Sequence, residues 1–255
     1  DTLWLSPIYS MRTEKIGEHG AFHGYWTSDL RKVEPRFGSD EDLLELRQEL
    51  DKRGMSLVMD MVLNHVGYDT PLVTEKPEWF HHNGDIKDWN DPVQLITHDV
   101  HGLPDLAQEK NEVYEYLLGA SAHWAEVLQP AGFRLDAVKH VSNDFWQRYT
   151  EDLRGQRIHA LGELYDGNPE GIAKGFREGG FDSLFDFPLY FSMTDVFCKG
   201  QTAKRLAATT SLDRLYPDPR RLVTFADNHD LPRLASACAG DAARIRALLT
   251  FMLSA

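Results

Sequence analysis

The sequence predicts an α/β fold built on parallel strands, and two features of the chain support this prediction. Short apolar runs alternate with amphipathic helical patterns along the 255 residues, as expected when helices connect successive strands. The runs are nearly continuous in apolar residues, as in residues 56–62, which favours strands covered on both faces of a parallel sheet. We therefore expect six strand–helix units.

The predicted elements follow one another in a regular order. The first strand, residues 2–6, ends before Pro7, and the next helix begins at Ser39, where Asp42 three residues later resembles a capping box. Gly54 is expected to end that helix. The further predicted strands cover residues 56–62, 133–137, 158–164, 181–185 and 222–226. The further predicted helices cover residues 108–129, 143–154, 170–178, 192–209 and those from about 241 onward.

Residues 66–105 do not follow this alternation. The stretch is rich in His, Asp, Asn, Pro and Trp, and it is too long for an ordinary loop. We expect it to form a small excursion that stands on the sheet. Its aromatic residues Trp79, Phe80 and Trp89 are expected either to pack the excursion or to stack on a bound ligand.

The bulk composition excludes several classes of partner. The chain has 27 Lys and Arg against 40 Asp and Glu, and a formal charge of −13 argues against nucleic acid and anionic membranes as partners. No apolar run reaches membrane-spanning length. Cys198 and Cys238 match neither a redox motif nor a zinc spacing. We expect two buried free thiols, with a single disulfide as the alternative.

Three acidic residues stand at the ends of predicted strands: Asp136, Glu163 and Asp230. The carboxyl ends of parallel barrel strands open on one face, so residues distant in sequence are expected to meet there. A single Asp in this position often only caps the next helix. Arg134 shares the strand face of Asp136 and would hold that carboxylate ionised, as a nucleophile requires. His65 and His229 suit hydroxyl recognition near a developing positive charge.

Stretches around these residues resemble the four signature regions of the α-amylase family of glycoside hydrolases. They are residues 60–65 (DMVLNH), 132–140 (GFRLDAVKH), 162–165 (GELY) and 225–230 (FADNHD). Residues 103–106 (LPDL) resemble the family's fifth region, and residues 23–26 (HGYW) its aromatic motif. The six motifs occur in family order. The resemblance implies a TIM-type (β/α)8 barrel of which this chain supplies strands two to seven.

The resemblance implies a retaining glycoside hydrolase that cleaves internal α-1,4-glucosidic bonds of starch or maltodextrins. Asp136 would be the nucleophile, Glu163 the general acid/base, and Asp230 the residue that stabilises the distorted sugar. Lys139 and His140 would reach the leaving-group side. The substrate-binding residues that the resemblance implies are Tyr25, His65, Arg134, Lys139, His140 and His229.

The resemblance also implies a structural calcium ion between the barrel and the excursion. Asn64, Asp105 and the backbone carbonyl of His140 stand at the matching positions, and their oxygen atoms are of the kind that calcium prefers. The alternative is that Asn64 and Asp105 only hydrogen-bond the loop. Asp91 is a further candidate ligand. The four histidines of the excursion match no zinc spacing: His81, His82, His98 and His101.

On this resemblance, residues 1–65 and 106–255 form the catalytic barrel, and residues 66–105 form the inserted excursion. The family's first strand, eighth strand and C-terminal β-sandwich have no counterpart, so we expect a piece of a longer enzyme that is inactive when isolated. The alternatives are a transglycosylase or cyclodextrin-acting relative with the same carboxylates, and a non-catalytic relative that only binds partners. An α-glucan or maltooligosaccharide is the expected substrate, while localisation and oligomeric state stay open.

Overall fold

The computed structural model describes residues 1–16, 18 and 20–254 in two compact units. The first unit comprises Asp1–Glu163, and the second begins at Leu164. Strands and helices alternate in both units, and the predicted parallel pairing of the strands is confirmed. None of the helices in the described part of the chain is long and apolar enough to cross a membrane.

The first unit is built on four parallel strands. In chain order its elements are β1 (Thr2–Leu5), β2 (Tyr9–Met11), β3 (Thr27–Val33), α1 (Asp40–Lys52), β4 (Ser56–Met61), α2 (Pro71–Glu75), α3 (Asn111–Leu128), β5 (Gly132–Leu135), α4 (Asn143–Gly155) and β6 (His159–Gly162). Strands β1, β4, β5 and β6 are hydrogen-bonded in that order. The register sets Asp60 beside Arg134 and aligns Met61, Leu135 and Gly162. The residues that follow β4, β5 and β6 therefore leave the sheet at one edge.

Local signals in the sequence explain the boundaries of α1. The side chain of Ser39 accepts a hydrogen bond from the backbone N–H of Asp42, and the Asp42 carboxylate accepts one from the N–H of Ser39. This confirms the predicted capping box. Gly54, at φ 63°, follows the end of the helix in the left-handed conformation that favours glycine.

Two long helices cover the strands and bury tryptophans in the core. Trp124 of α3 and Trp146 of α4 are almost fully buried. Each indole N–H has a partner: Trp124 donates to the carbonyl of Leu30 at 2.6 Å, and Trp146 donates to that of Val138 at 3.0 Å. Buried indole nitrogens require acceptors. Because the acceptor of Trp146 is the carbonyl of Val138, this bond also holds the turn that follows Asp136.

One antiparallel pair was not predicted from the sequence. Strands β2 and β3 form a separate two-stranded sheet with irregular register. The alternation of β3 is broken by the polar stretch at Ser28 and Asp29, and β2 has only three residues. Neither segment therefore carries the continuous apolar signal of a central strand.

Residues 66–105 contain little regular structure, as expected of the excursion. Besides α2, they form short 3-10 turns at Pro77–Trp79 and Gln94–Ile96. Bridges between His65 and Asp105 and between Phe80 and Leu106 close the base of this segment. The assignment of the segment as a separate inserted domain stays a prediction.

The described part of the second unit contains two parallel strands, five α-helices and the π-helical segment Thr194–Cys198. In chain order its elements are α5 (Pro169–Gly179), β7 (Ser183–Phe185), α6 (Phe187–Met193), α7 (Lys204–Thr210), β8 (Leu222–Val223), α8 (Leu234–Ala237) and α9 (Ala242–Ser254). The prediction of one helix over residues 192–209 is wrong. Asp186 caps α6, which therefore begins earlier, and the chain leaves the helix near Gly200 at φ 71°.

The cysteines of the second unit are not free thiols. Cys198 and Cys238 form a disulfide with a Cα–Cα distance of 4.2 Å, so the expectation of two free thiols is wrong and its alternative is correct. The half-cystines are 40 residues apart and sit in no recognisable framework, which is why spacing alone could not pair them.

Candidate active site

The site in the first unit is organised by one buried guanidinium. Asp136 follows β5 and Glu163 follows β6, and Arg134 bonds both of them. Its Nη1 donates to Oδ1 of Asp136 at 2.5 Å, and its Nη2 lies 3.2 Å from Oε2 of Glu163. The side chain of Arg134 is only 1% exposed. One guanidinium therefore holds both carboxyl groups, Asp136 through a hydrogen bond and Glu163 through an ion pair.

A third carboxylate, Asp60, completes this cluster and was not predicted as a site residue. Nη1 of Arg134 also donates to Oδ1 of Asp60 at 2.8 Å, while Tyr25 and Trp4 donate to its Oδ2 at 2.9 and 3.2 Å. Burial raises the pKa of Asp60 to about 7 against the lowering effect of Arg134, and Asp136 adds to the rise. A lone carboxylate inside an apolar strand is the signal that could have identified it.

The charge of Arg134 persists in this buried setting. Burial alone would lower the pKa of Arg134, but Asp60, Asp136 and Glu163 raise it above the ordinary value. The guanidinium therefore stays protonated. Its Nε has no hydrogen-bond partner among the described residues.

Tyr25 and His65 flank the cluster. The Tyr25 hydroxyl bonds Asp60, and the Tyr25 carbonyl lies 3.1 Å from Nε2 of His65. Because a carbonyl only accepts, Nε2 of His65 must carry the proton. Burial lowers the pKa of His65, which favours the neutral ring at neutral pH. Tyr25 and His65, two of the predicted substrate-binding residues, thus lie together at the edge of the sheet.

The turn after Asp136 is tied to Glu163 by a hydrogen bond. Ala137 adopts a left-handed conformation at φ 50°, and its N–H donates to Oε2 of Glu163 at 3.1 Å. Backbone strain of this kind is typical of functional sites. The turn continues to His140, whose Nδ1 donates to the carbonyl of Leu95 at 3.0 Å. Lys139 is exposed.

Asp230 and His229 lie in the second unit, on the loop after β8. Both residues are exposed, and Nε2 of His229 is 3.1 Å from Oδ2 of Asp230. Asp227 shapes this loop, because its carboxylate accepts from the N–H of Leu234 at 2.6 Å and pairs with Arg233 at 2.9 Å. The catalytic and sugar-binding roles of the two loop residues stay predictions.

The three predicted calcium ligands lie side by side. With its amide nitrogen turned towards them, Asn64 donates to the carbonyl of His140 at 2.7 Å and to Oδ1 of Asp105 at 3.2 Å. With the amide oxygen in that place, three oxygens would face one another, and a bound cation would offset their repulsion. Asn64 and Asp105 are fully buried. The donor set therefore fits a hard cation such as calcium.

His81 is a neighbour of this set that sequence reasoning missed. Its Nδ1 lies 2.6 Å from Oδ2 of Asp105, and its Nε2 lies 3.1 Å from Glu109. Burial alone would lower the pKa of His81, but Asp105 and Glu109 raise it. Burial raises the pKa of Asp105 to about 6 in spite of His81. The candidate ligand Asp91 accepts hydrogen bonds from Val93 and Gln94 of its own loop.

A zinc site formed by the excursion histidines receives no support. Within the described ranges, no group of three or more His, Cys, Asp or Glu side chains is placed to hold a metal ion. His82 instead bonds the carbonyl of Pro77 at 2.6 Å, and His98 lies 3.0 Å from the hydroxyl of Thr97.

Comparison with known proteins identifies the family of this chain. Residues 1–255 match the family described as "Alpha amylase, catalytic domain". The "Beta/alpha-amylase" of Paenibacillus polymyxa is 30% identical over 252 residues, which are 93% of this chain and 20% of that protein. The cyclomaltodextrin glucanotransferase of Klebsiella oxytoca is 27% identical, over 94% of this chain and 42% of its own length.

A solved structure gives the same result. The α-amylase of Geobacillus thermoleovorans, crystallised with acarbose, superposes with a TM-score of 0.91 at 34% identity. The match covers 100% of this chain and 58% of that one, so the chain spans less than two thirds of the relative's length. The likeness confirms the predicted TIM-type (β/α) fold class.

Proposed function

The chain belongs to the α-amylase family, and from that premise we propose that it carries the catalytic centre of a retaining hydrolase of α-1,4-glucosidic bonds. The substrate would be starch or maltodextrins, cleaved at internal bonds. One observation carries the proposal: a single buried Arg134 bonds both Asp136 and Glu163. Retaining enzymes need two carboxyl groups about 5 Å apart, and a shared guanidinium keeps such a pair close.

The contacts of each carboxylate suit a different task. Asp136 receives the shortest bond of Arg134, which favours an ionised oxygen that can attack the anomeric carbon. Glu163 would protonate the departing glycosidic oxygen as Asp136 forms a covalent β-glycosyl ester. Glu163 would then take a proton from water, whose oxygen displaces Asp136 and gives an α-configured product.

The remaining groups would bind and orient the sugar. Asp60 holds the hydroxyl of Tyr25 and His65 holds its backbone carbonyl, so both the side chain and the backbone are anchored. Asp230 would stabilise the distorted sugar, as the family resemblance implies. The buried charged groups would already be oriented before the substrate binds. Such electrostatic preorganisation lowers the activation free energy.

Calcium forms a separate part of the proposal. Asn64, Asp105 and the carbonyl of His140 would hold the ion, which would fix the excursion to the turn behind the nucleophile. The ion would be structural. His81, which bonds Asp105, would orient that carboxylate as an outer partner.

Replacement of each carboxylate tests the assignment in the full-length protein. Asp136→Asn and Glu163→Gln should each lower the release of reducing ends from soluble starch by several orders of magnitude. The far-UV circular dichroism should not change. Asp144→Asn, at an exposed position in the first turn of α4, is the matched control and should keep full activity. Near-normal activity of either active-site variant would overturn the proposal.

Transglycosylation is the second candidate, because a cyclomaltodextrin glucanotransferase is among the matched relatives. The first half-reaction is the same, and the candidates differ in whether water or a sugar hydroxyl accepts the glycosyl group. Chromatography of the products from soluble starch separates them. Linear short maltooligosaccharides support hydrolysis, and cyclic or elongated products support transfer.

A further inference from the structure

Trp4 of β1 contacts both members of the buried ion pair between Arg134 and Asp60. Its Nε1 donates to Oδ2 of Asp60 at 3.2 Å, and Cζ of Arg134 lies over its ring, 5.4 Å from the centroid. Asp60 and Arg134 are each 1% exposed, whereas Trp4 is partly buried. The indole therefore meets the guanidinium with its π face and the carboxylate with its donor edge.

The register of the sheet explains this arrangement. Trp4 pairs with Val58, and Asp60, two residues further along β4, pairs with Arg134 of β5. Side chains two residues apart on a strand point to the same face of the sheet. Trp4, Asp60 and Arg134 therefore share one face of three adjacent strands, and the backbone itself brings them together.

The hydrogen bonds of Asp60 come from one cation and two neutral donors. Nη1 of Arg134 donates to its Oδ1, while Trp4 and the hydroxyl of Tyr25 donate to its Oδ2. The same Nη1 also donates to Asp136. Neutral donors stabilise a carboxylate without adding charge, so Asp60 depends less on the nitrogen that it shares with Asp136.

We infer that Trp4 is a positioning residue that acts on the reaction through Asp60 and Arg134. Its N–H holds Asp60, and its ring holds the guanidinium that contacts Asp136 and Glu163. The inference rests on the proposed function and deepens it, because it names a residue that orients the catalytic carboxyl groups without binding sugar. Loss of the indole should therefore affect turnover and not substrate affinity.

Two replacements in the full-length protein separate the donor from the ring face. Trp4→Phe keeps an aromatic face for Arg134 but removes the N–H, and it should lower kcat on maltoheptaose about three- to tenfold with KM unchanged. Trp4→Leu removes both contacts and should lower kcat about 30-fold.

Trp124→Phe is the matched control. It also removes one indole hydrogen bond, to the carbonyl of Leu30, but it does so in the core beside α3. It should lower the unfolding temperature and leave kcat and KM unchanged. A Trp4→Phe variant that behaves in the same way would overturn the inference, because Trp4 would then have a structural role alone.

A double-mutant cycle tests whether Trp4 acts through Asp60. In an Asp60→Asn background, Trp4→Phe should change kcat by about twofold or less, because the charge that the N–H holds is absent. Losses that multiply independently would overturn the inference. So would a rise in KM with kcat unchanged, which would mean that Trp4 binds the substrate.

The indole N–H also gives a readout that needs no turnover. The charged and titratable groups that face Asp60 are Arg134, Asp136, Tyr9 and Tyr25. The arginine and the two tyrosines stay protonated at neutral pH, because their pKa values are raised. Burial raises the pKa of Asp60 to about 7, so the ¹⁵N–¹H signal of Trp4 should shift as the pH passes through that value.

The signal is assigned by its absence in Trp4→Phe, and its shift should disappear in Asp60→Asn. A signal that responds to pH equally in the parent and in Asp60→Asn would overturn the inference. A parent protein that cleaves no α-glucan would refute the proposed function instead, and the NMR titration would still decide whether Trp4 holds Asp60.

Discussion

Replacement of Arg134 by lysine tests whether activity and stability depend on a guanidinium whose two terminal nitrogens contact different carboxylates. Nη1 serves Asp60 and Asp136, whereas Nη2 alone serves Glu163, at 3.2 Å. A lysine ammonium can take the place of Nη1 but cannot also reach Glu163, because it lacks the planar fork. Glu163 would then lose its ion pair with the guanidinium while it remains buried.

The expected magnitude follows from that lost contact. A polar contact to a charged partner is worth about 1.5–3 kcal/mol, and a loss of about 2 kcal/mol in the transition state lowers kcat/KM about 30-fold. The free energy of unfolding should fall by a similar amount. Initial rates on maltoheptaose and urea denaturation measure the two effects separately.

A matched substitution controls for the change of arginine to lysine itself. Arg53 pairs with Glu49 on the exposed side of α1, so Arg53→Lys should change stability by about 0.5 kcal/mol or less and leave the rate unchanged. An Arg134→Lys variant within threefold of the parent in kcat/KM and equal to it in stability would refute the shared-guanidinium argument.

Three further predictions concern stability. Burial raises the pKa of Asp186 to about 6 from the ordinary 3.8, so its contribution to stability is present below about pH 4 and is lost as pH rises through 6. Asp186→Asn keeps an N-cap for α6 and should recover about 3 kcal/mol at pH 8 in urea titrations. Removal of the Cys198–Cys238 bridge, which closes 40 residues, should cost about 4 kcal/mol in the same assay. Chelation of calcium should lower the unfolding temperature by about 5–10 °C, as calorimetry would show.

Each of these predictions has a result that would contradict it. The gain in the free energy of unfolding of Asp186→Asn over the parent should disappear at pH 4. A gain that is the same at every pH would mean that titration of Asp186 is not its cause. A Cys198→Ser, Cys238→Ser variant as stable as the parent would remove the structural role of the bridge. The calcium site would be rejected if magnesium restored the unfolding temperature as well as calcium does. It would also be rejected if chelation lowered the unfolding temperature of Asn64→Ala as much as that of the parent.

The convergence of the main site residues could be predicted because parallel strands impose it. Asp136 and Glu163 follow neighbouring strands whose carboxyl ends meet at one edge, and Arg134 shares a strand face with Asp136. Asp60 was not predicted as a site residue, although it begins the motif of residues 60–65. Its partner depends on the register between β4 and β5, and period-two patterns disappear in strands buried on both faces.

Long-range pairings were the other limit of sequence reasoning. The bond between His81 and Asp105 joins residues 24 positions apart across an irregular segment. The disulfide and the β2–β3 sheet likewise depend on tertiary placement, which no local propensity encodes. The capping box of α1 was predictable because all its atoms lie within four consecutive residues.

The covalent intermediate tests the central claim most directly. A fluorinated maltosyl fluoride that forms the glycosyl ester rapidly and releases it slowly should label the full-length protein once. Mass spectrometry of the digested protein should then find the added maltosyl mass on the peptide that contains Asp136, with no label in Asp136→Asn. A label on another carboxylate, or none while the reagent is being consumed, would contradict the assignment of Asp136 as nucleophile.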